Sequence, residues 1–134
     1  MRMSNVPVVV GLKASSFCAD DAVVLEVFVA SRTKDGDECG AYAAWVKNIS
    51  VVLCELAGGC TQTAGIGSWV NPDTRELVCE HTTTLRSFAS RGRLLADLGK
   101  LRQVLVQYGR ECEQHTVAFA LDGEFFGIDP GLPY

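Results

Sequence analysis

Two short motifs hold both histidines of the chain, Cys79-Glu80-His81 and Cys112-Glu113-Gln114-His115, each with a cysteine within three residues. Together they offer the donor set of a Cys2His2 zinc site. Such a site needs four ligands converging at about 2.0 to 2.3 Å on one point. C-x-H on a strand and C-x-x-H at a helix end lack the spacing of a zinc finger, and the fold derived below places another strand between them. The motifs read as packed cysteines with surface or hydrogen-bonded histidines, so no metal and no other cofactor is expected.

A second candidate chemistry is a thiol nucleophile at Cys39, which stands where a helix begins. Helix N-terminal N–H groups favour a thiolate. Asp35, Asp37 and Glu38 crowd it with negative charge and oppose that effect, so Cys39 reads as an exposed, modestly reactive or inert cysteine and not as a catalytic one. Carboxylates are the third candidate. Glu26 interrupts an otherwise apolar run, Ala22 to Ala30, where an unpaired carboxylate would be desolvated and suited to general acid or base work. Glu80 and Arg86 share one face of a later strand, with Thr82 and Thr84 between them, so Arg86 could neutralise a carboxylate there. Glu26, Glu80 and His81 are the proton-transfer candidates. The plainer reading, an ion pair or hydrogen-bonded residue at a protein contact, is preferred, and no residue is assigned as catalytic.

The elements that must position these groups follow from local pattern. Thr61 to Val70, then Asn71-Pro72-Asp73-Thr74, then Arg75 to Phe88 is a hairpin: Pro72 presets φ, and Asn71 and Asp73 can satisfy turn backbone groups. Before it, Ala22 to Ala30 is apolar almost throughout, as a central strand covered on both faces requires. From Cys39 to about Leu56, apolar residues recur at Tyr42, Val46, Ile49, Leu53 and Leu56 on one helix side, and Gly58-Gly59 stops the helix. A second helix follows Ser90 as N-cap and carries Leu94, Leu98, Leu101, Leu105 and Tyr108. Gly109 costs that helix about 1 kcal/mol against alanine and is expected to end it early. Thr116 to Leu121 and Glu124 to Ile128 flank Asp122-Gly123, a type I′ turn signal. The order is βαββαβ with an extra C-terminal strand, an α+β ferredoxin-like sandwich whose antiparallel sheet carries two helices on one face.

With 134 residues, 48% hydrophobic and 21% charged, a single domain is expected over 21–134, preceded by an N-terminal arm or edge strand over 1–20 that includes Val8-Val9-Val10. A net charge of −4 excludes the concentrated basic surface that nucleic acid demands. The apolar run Val6 to Leu12 is too short to cross a membrane and is broken by Pro7. With no export signal in view and a core that needs no staples, the six cysteines are expected to be reduced and the protein cytoplasmic. Paired thiols before the first helix, an arginine-bearing glycine loop, stacking aromatics on the central strands and a G-x-x-x-x-G-K loop are all missing. Those absences argue against metal transfer, phosphate hydrolysis, RNA binding and nucleotide hydrolysis.

Tyr108-Gly109-Arg110-Glu111 with Gln114, then Val117-Ala118-Phe119 and Asp122-Gly123-Glu124-Phe125-Phe126-Gly127-Ile128, resembles the ending of small uncharacterised ferredoxin-like proteins of bacteria, phages and mobile gene cassettes. Gly67-Ser68-Trp69-Val70-Asn71-Pro72-Asp73 is similar to their G-x-W hairpin. The resemblance covers about residues 58–128. It implies the fold and frequent homodimerisation, and brings no catalytic residue with it.

On the first strand, Val24, Glu26 and Phe28 share the face that the helices leave open, which is too apolar for a solvated surface. These three are the expected interface residues of a homodimer, the commonest closed assembly. The function expected is therefore a non-enzymatic homodimeric dimerisation or small-ligand-binding module. The alternative is a small cofactor-independent enzyme of the dimeric α+β-barrel type, with a sheet-face carboxylate or histidine moving a proton.

Overall fold

The computed structural model of the protein describes residues 21–132, so the expected arm over 1–20, with Val8-Val9-Val10, lies outside the described residues. The chain runs β1 (Ala22–Ala30), α1 (Tyr42–Ala57), β2 (Thr61–Val70), β3 (Leu77–Ser90), α2 (Arg91–Glu111), β4 (Val117–Leu121) and β5 (Glu124–Ile128). The sheet order is β2-β3-β1-β4-β5 with every pair antiparallel. This is the α+β ferredoxin-like sandwich with one added strand.

Alternation along β1 divides the molecule. Val23, Leu25, Val27 and Val29 are buried beneath the helices, while Val24, Glu26, Phe28 and Ala30 are only half-buried on the other face. Against the first set α1 packs Trp45, Ile49, Leu53 and Leu56, and α2 packs Leu94, Leu101, Leu105 and Tyr108. Trp45 meets the Tyr108 ring edge-on at 6.2 Å. The helix limits have local causes: Gly58 at φ 80° closes α1, and the Ser90 hydroxyl accepts the Arg93 N–H at 3.2 Å at the start of α2. In the β2–β3 turn the Asn71 side chain accepts from the Asp73 and Thr74 amides.

Two expectations are refined. The helix α2 runs through Gly109 to Glu111. A Cβ on Gly109 would lie 2.6 Å from Val117 Cγ2 and 2.7 Å from Pro130 Cβ, so the glycine lets the last turn of α2 sit against β4 and the C-terminal segment. Its backbone cost is offset by that close approach. Tyr108, expected only as an apolar helix position, also carries a polar task. Its hydroxyl accepts the Ala30 N–H at 2.8 Å and donates to the Ala30 carbonyl at 2.9 Å. Pairing of β1 with β4 ends at Phe28, opposite Ala118, so the phenol serves Ala30 where the neighbouring strand has turned away.

Tyr108→Phe keeps the ring and strands both backbone groups of Ala30. Chemical denaturation should show a loss of about 1 to 3 kcal/mol, the cost of leaving buried polar groups unsatisfied. An unchanged midpoint would mean that these groups find other partners.

Candidate functional site

The face without helices carries Thr63, Gly65, Gly67 and Trp69 from β2, Glu80 through Phe88 at alternate positions of β3, Val24 to Ala30 of β1, and Ala118 and Ala120 of β4, as the strand register requires. At the end where β4 leaves β1, this face sinks into a pocket of about 440 Å³. Phe28, Ala30, Thr82 and Ala118 line its floor, Gly67, Trp69 and Glu80 one side, and Arg32, Thr33, Lys34, Gln114, His115 and Thr116 the other.

Glu80 is the central group. It is 9% exposed, and its Oε2 accepts the Trp69 indole N–H at 3.1 Å. The strand pairing explains the contact, because Gly67 lies opposite Glu80 and Trp69 lies one pair along the same face. A Cβ on Gly67 would come within 2.7 Å of Thr82 Oγ1, so glycine there keeps room for the Thr82 and Glu80 side chains. The indole satisfies one oxygen of the carboxylate and anchors it to the β2 side of the pocket. A hydrogen-bonded carboxylate beside Phe28 and Trp69 can accept from ligand hydroxyls or face a cationic centre.

The opposite wall is a loop held from several sides. Lys34 N–H donates to the Glu113 carbonyl at 2.8 Å, and the Gln114 side-chain amide donates to the Arg32 carbonyl at 2.6 Å. The Arg32 guanidinium bonds the Gly36 carbonyl at 2.8 Å and sits 3.9 Å from Glu38, while Lys34 lies 3.3 Å from Asp35. Two cationic residues thus line the pocket from a braced loop, with their charged ends bonded within that loop. Tyr108 lies at the back, where burial pushes its hydroxyl pKa upward and keeps it a neutral donor and acceptor.

The expectation of six reduced thiols is corrected here. Cys39 and Cys112 form a disulfide with a Cα separation of 5.5 Å. It joins the loop that supplies Arg32 and Lys34 to the turn that supplies Gln114 and His115, so both halves of one pocket wall share a covalent tie. Nothing local marks the pair, whose members are 73 residues apart. Cys39 consequently has no thiol to act as nucleophile. Cys54, Cys60 and Cys79 are reduced, and burial raises the Cys60 thiol pKa. Cys18 lies outside the described residues.

The proton-transfer candidates separate. Glu80 stands in the pocket. Glu26 shares its face but lies outside the pocket and pairs with Arg86 across the strands at 3.8 Å, so Arg86 serves Glu26 and Glu80 has Trp69. His81 projects from the opposite face and is exposed. Val24, Glu26 and Phe28 all lie on the open face, and Phe28 also lines the pocket. Among the described residues, no three His, Cys, Asp or Glu side chains converge as a metal site, and no helix is long and apolar enough to cross a membrane. The sequence reading missed the indole–carboxylate contact and the loop wall. Trp69 and Glu80 do share a face of the predicted hairpin, which was the available signal.

No family model matches the chain, and no curated protein matches it in sequence. Two solved structures resemble it. One is a phage SAM lyase in complex with S-methyl-5'-thioadenosine, at TM-score 0.57 and 12% identity over 81% of this chain and 90% of that one. The other is a phage SAM lyase in the apo state, at TM-score 0.54 and 15% identity over 80% of this chain and 88% of that one. At these identities the likeness speaks for the fold.

Alkylating the denatured protein before and after reduction should reveal one extra pair of thiols, mapping by mass spectrometry to Cys39 and Cys112. Reduction should also lower stability by about 2 to 4 kcal/mol, as removal of a long-range disulfide does. Full alkylation of both cysteines without reductant would contradict the pairing.

Proposed function

We propose that the protein binds a small adenosine-type molecule bearing a sulfur centre in the pocket around Glu80. The observation that carries this reading is a buried carboxylate, oriented by an indole, inside a pocket of about 440 Å³ that two cationic residues also line. Phe28 and Trp69 offer surface for a planar ring, Glu80 suits ribose hydroxyls or a sulfonium, and Arg32 and Lys34 suit a carboxylate. The fold likeness to a phage SAM lyase, one structure of which holds S-methyl-5'-thioadenosine, supports S-adenosylmethionine and that thioether as the first ligands to try.

A second reading is catalysis. Of the proton-transfer candidates only Glu80 lines this pocket, which is the placement that the cofactor-independent enzyme alternative requires. On this reading Glu80 takes a proton from Cβ of the methionyl chain of S-adenosylmethionine, and a Cβ–Cγ double bond forms as the Cγ–S bond breaks with its electron pair going to sulfur. The products are S-methyl-5'-thioadenosine and the unsaturated four-carbon amino acid.

Homodimerisation through the open face belongs to the same proposal. Beside Val24 and Phe28, this face carries Phe88 at 61% and Phe125 at 66% exposure, large apolar surface around the Glu26–Arg86 pair. Packing two such faces would partly roof each pocket. Cytoplasmic placement, expected from reduced thiols, loses that support, because a buried disulfide persists most readily in an oxidising compartment.

Calorimetric titration with S-adenosylmethionine and S-methyl-5'-thioadenosine should show binding of at least one, weakened about tenfold or more by Glu80→Gln, a change of roughly 1.4 kcal/mol. Absence of binding at millimolar ligand sinks the ligand class. Chromatographic detection of S-methyl-5'-thioadenosine formed from S-adenosylmethionine separates catalysis from binding alone.

Light scattering at micromolar concentration should give a smaller particle for Phe28→Asp, and for Phe88→Asp outside the pocket, than for the parent. A charge forced into a desolvated contact is expected to break it. Equal masses would dismiss the sheet-face contact.

A further inference from the structure

Strand β2 ends the sheet on one side, and its ten residues, Thr61 to Val70, include no charged residue and no proline. Its outward backbone groups are a template for another strand, and natural edges of this length are normally protected by charge, proline, bulges or shortness. The opposite edge, β5, is five residues long and begins with Glu124. The β2–β3 hairpin also reaches past the helix layer. Ile66 at 65%, Val70 at 56% and Leu77 at 65% exposure project on the helix side with no helix above them. Their side is set by Gln62, which shares it and bonds Ser50 of α1.

Alongside the other end of β2 runs an open groove of about 740 Å³. Tyr42, Val46 and Ser50 of α1 line it together with Gln62, and Val51, 48% exposed, forms its outer lip. Among the described residues, four of the nine exposed large apolar side chains, Val51, Ile66, Val70 and Leu77, therefore lie along this side of the sheet.

We infer that this edge pairs with the same edge of a second copy, antiparallel about a twofold axis at Ile66. Such an axis, normal to the sheet, places both helix layers on the same side and sets Ile66 against its own copy. Val70 of each copy then falls beside Gln62 of the other, under the lip formed by Val51. The apolar overhang of one copy meets the apolar groove of its mate, and the relation is reciprocal, as a twofold interface requires. Charge argues for a copy of itself as the occupant. In a twofold pairing a charge near the axis would lie close to the same charge of its own copy, and the strand carries none. Pairing over the nine residues Gln62 to Val70 would give one continuous ten-stranded sheet, with main-chain hydrogen bonds supplying affinity.

The contact is independent of the ligand proposal and uses none of the open-face phenylalanines. Ile66→Lys, at an exposed position, places two positive charges on the axis. By light scattering it should halve the mass of the parent, with an unchanged circular dichroism spectrum. Ile66→Cys should give a covalent dimer under mild oxidation, mapping to a 66–66 disulfide, because directly opposed residues have Cα atoms about 4.5 to 5.5 Å apart. A parent and Ile66→Lys of equal mass, with no 66–66 cross-link, overturns the inference. A full-length monomer that dimerises only after removal of residues 1–20 also overturns it, and assigns the edge to the chain's own N-terminal segment.

Discussion

Toward β4, strand β1 presents hydrogen-bonding groups at alternate residues, and at Ala30 the partner is a phenol in place of a strand. Asp122 closes the other end: its side chain accepts the Val24 N–H at 2.8 Å, and its own N–H reaches the Val24 carbonyl at 2.8 Å. Between these ends Glu26 and Phe28 face Ala120 and Ala118 of β4. Because the Tyr108 hydroxyl both donates and accepts, it satisfies Ala30 completely and frees β4 to diverge. Divergence creates the hollow between the strands. Were β4 to continue beside Ala30, Gln114, His115 and Thr116 would be strand residues, and the pocket would be sheet.

The same constraint explains what the sequence could and could not disclose. Alternation in β1, the Asn71-Pro72 turn, the Ser90 cap and Asp122-Gly123 are local signals, each specified within a few residues, so the elements, their order and the helix-covered face were legible. The site depends on long-range coincidences. Tyr108 meets Ala30 across 78 positions, and Cys39 meets Cys112 across 73. An apolar helix position gives no sign that its hydroxyl replaces a strand. Glu80 was legible as a candidate because it shares a face with Thr82 and Thr84. Its partner was misassigned because Arg86 offers the stronger formal charge, yet the register sets Arg86 beside Glu26.

The wall opposite Glu80 shows how a short loop can be held without secondary structure. Arg32 and Glu38 form an isolated bridge, Lys34 is bonded through its backbone to Glu113, and the disulfide closes the base. Fixing the backbone in advance lowers the ordering cost that a ligand would otherwise meet on binding. The Arg32 and Lys34 side chains already have acidic or carbonyl partners within the loop. A ligand carboxylate would therefore have to displace half-buried pairings of these two side chains, which is easier than breaking a fully buried one.

Among the described residues the sheet presents two apolar surfaces, its open face and its β2 edge, and they differ in kind. The open face is broad, carries Phe28, Phe88 and Phe125, and contains the pocket mouth. The β2 edge is narrow, and its unpaired backbone gives it direction and register. Pairing at the edge extends the sheet in its own plane and leaves the pocket open to solvent. Stacking at the face covers Phe28 and narrows access to Glu80. Both proposed contacts fit the same chain without sharing a residue, so edge pairing would assemble the protein while leaving the face available to a ligand. Of the two proposed contacts only the one at the face would be coupled to the site, since only it would compete with a ligand for Phe28.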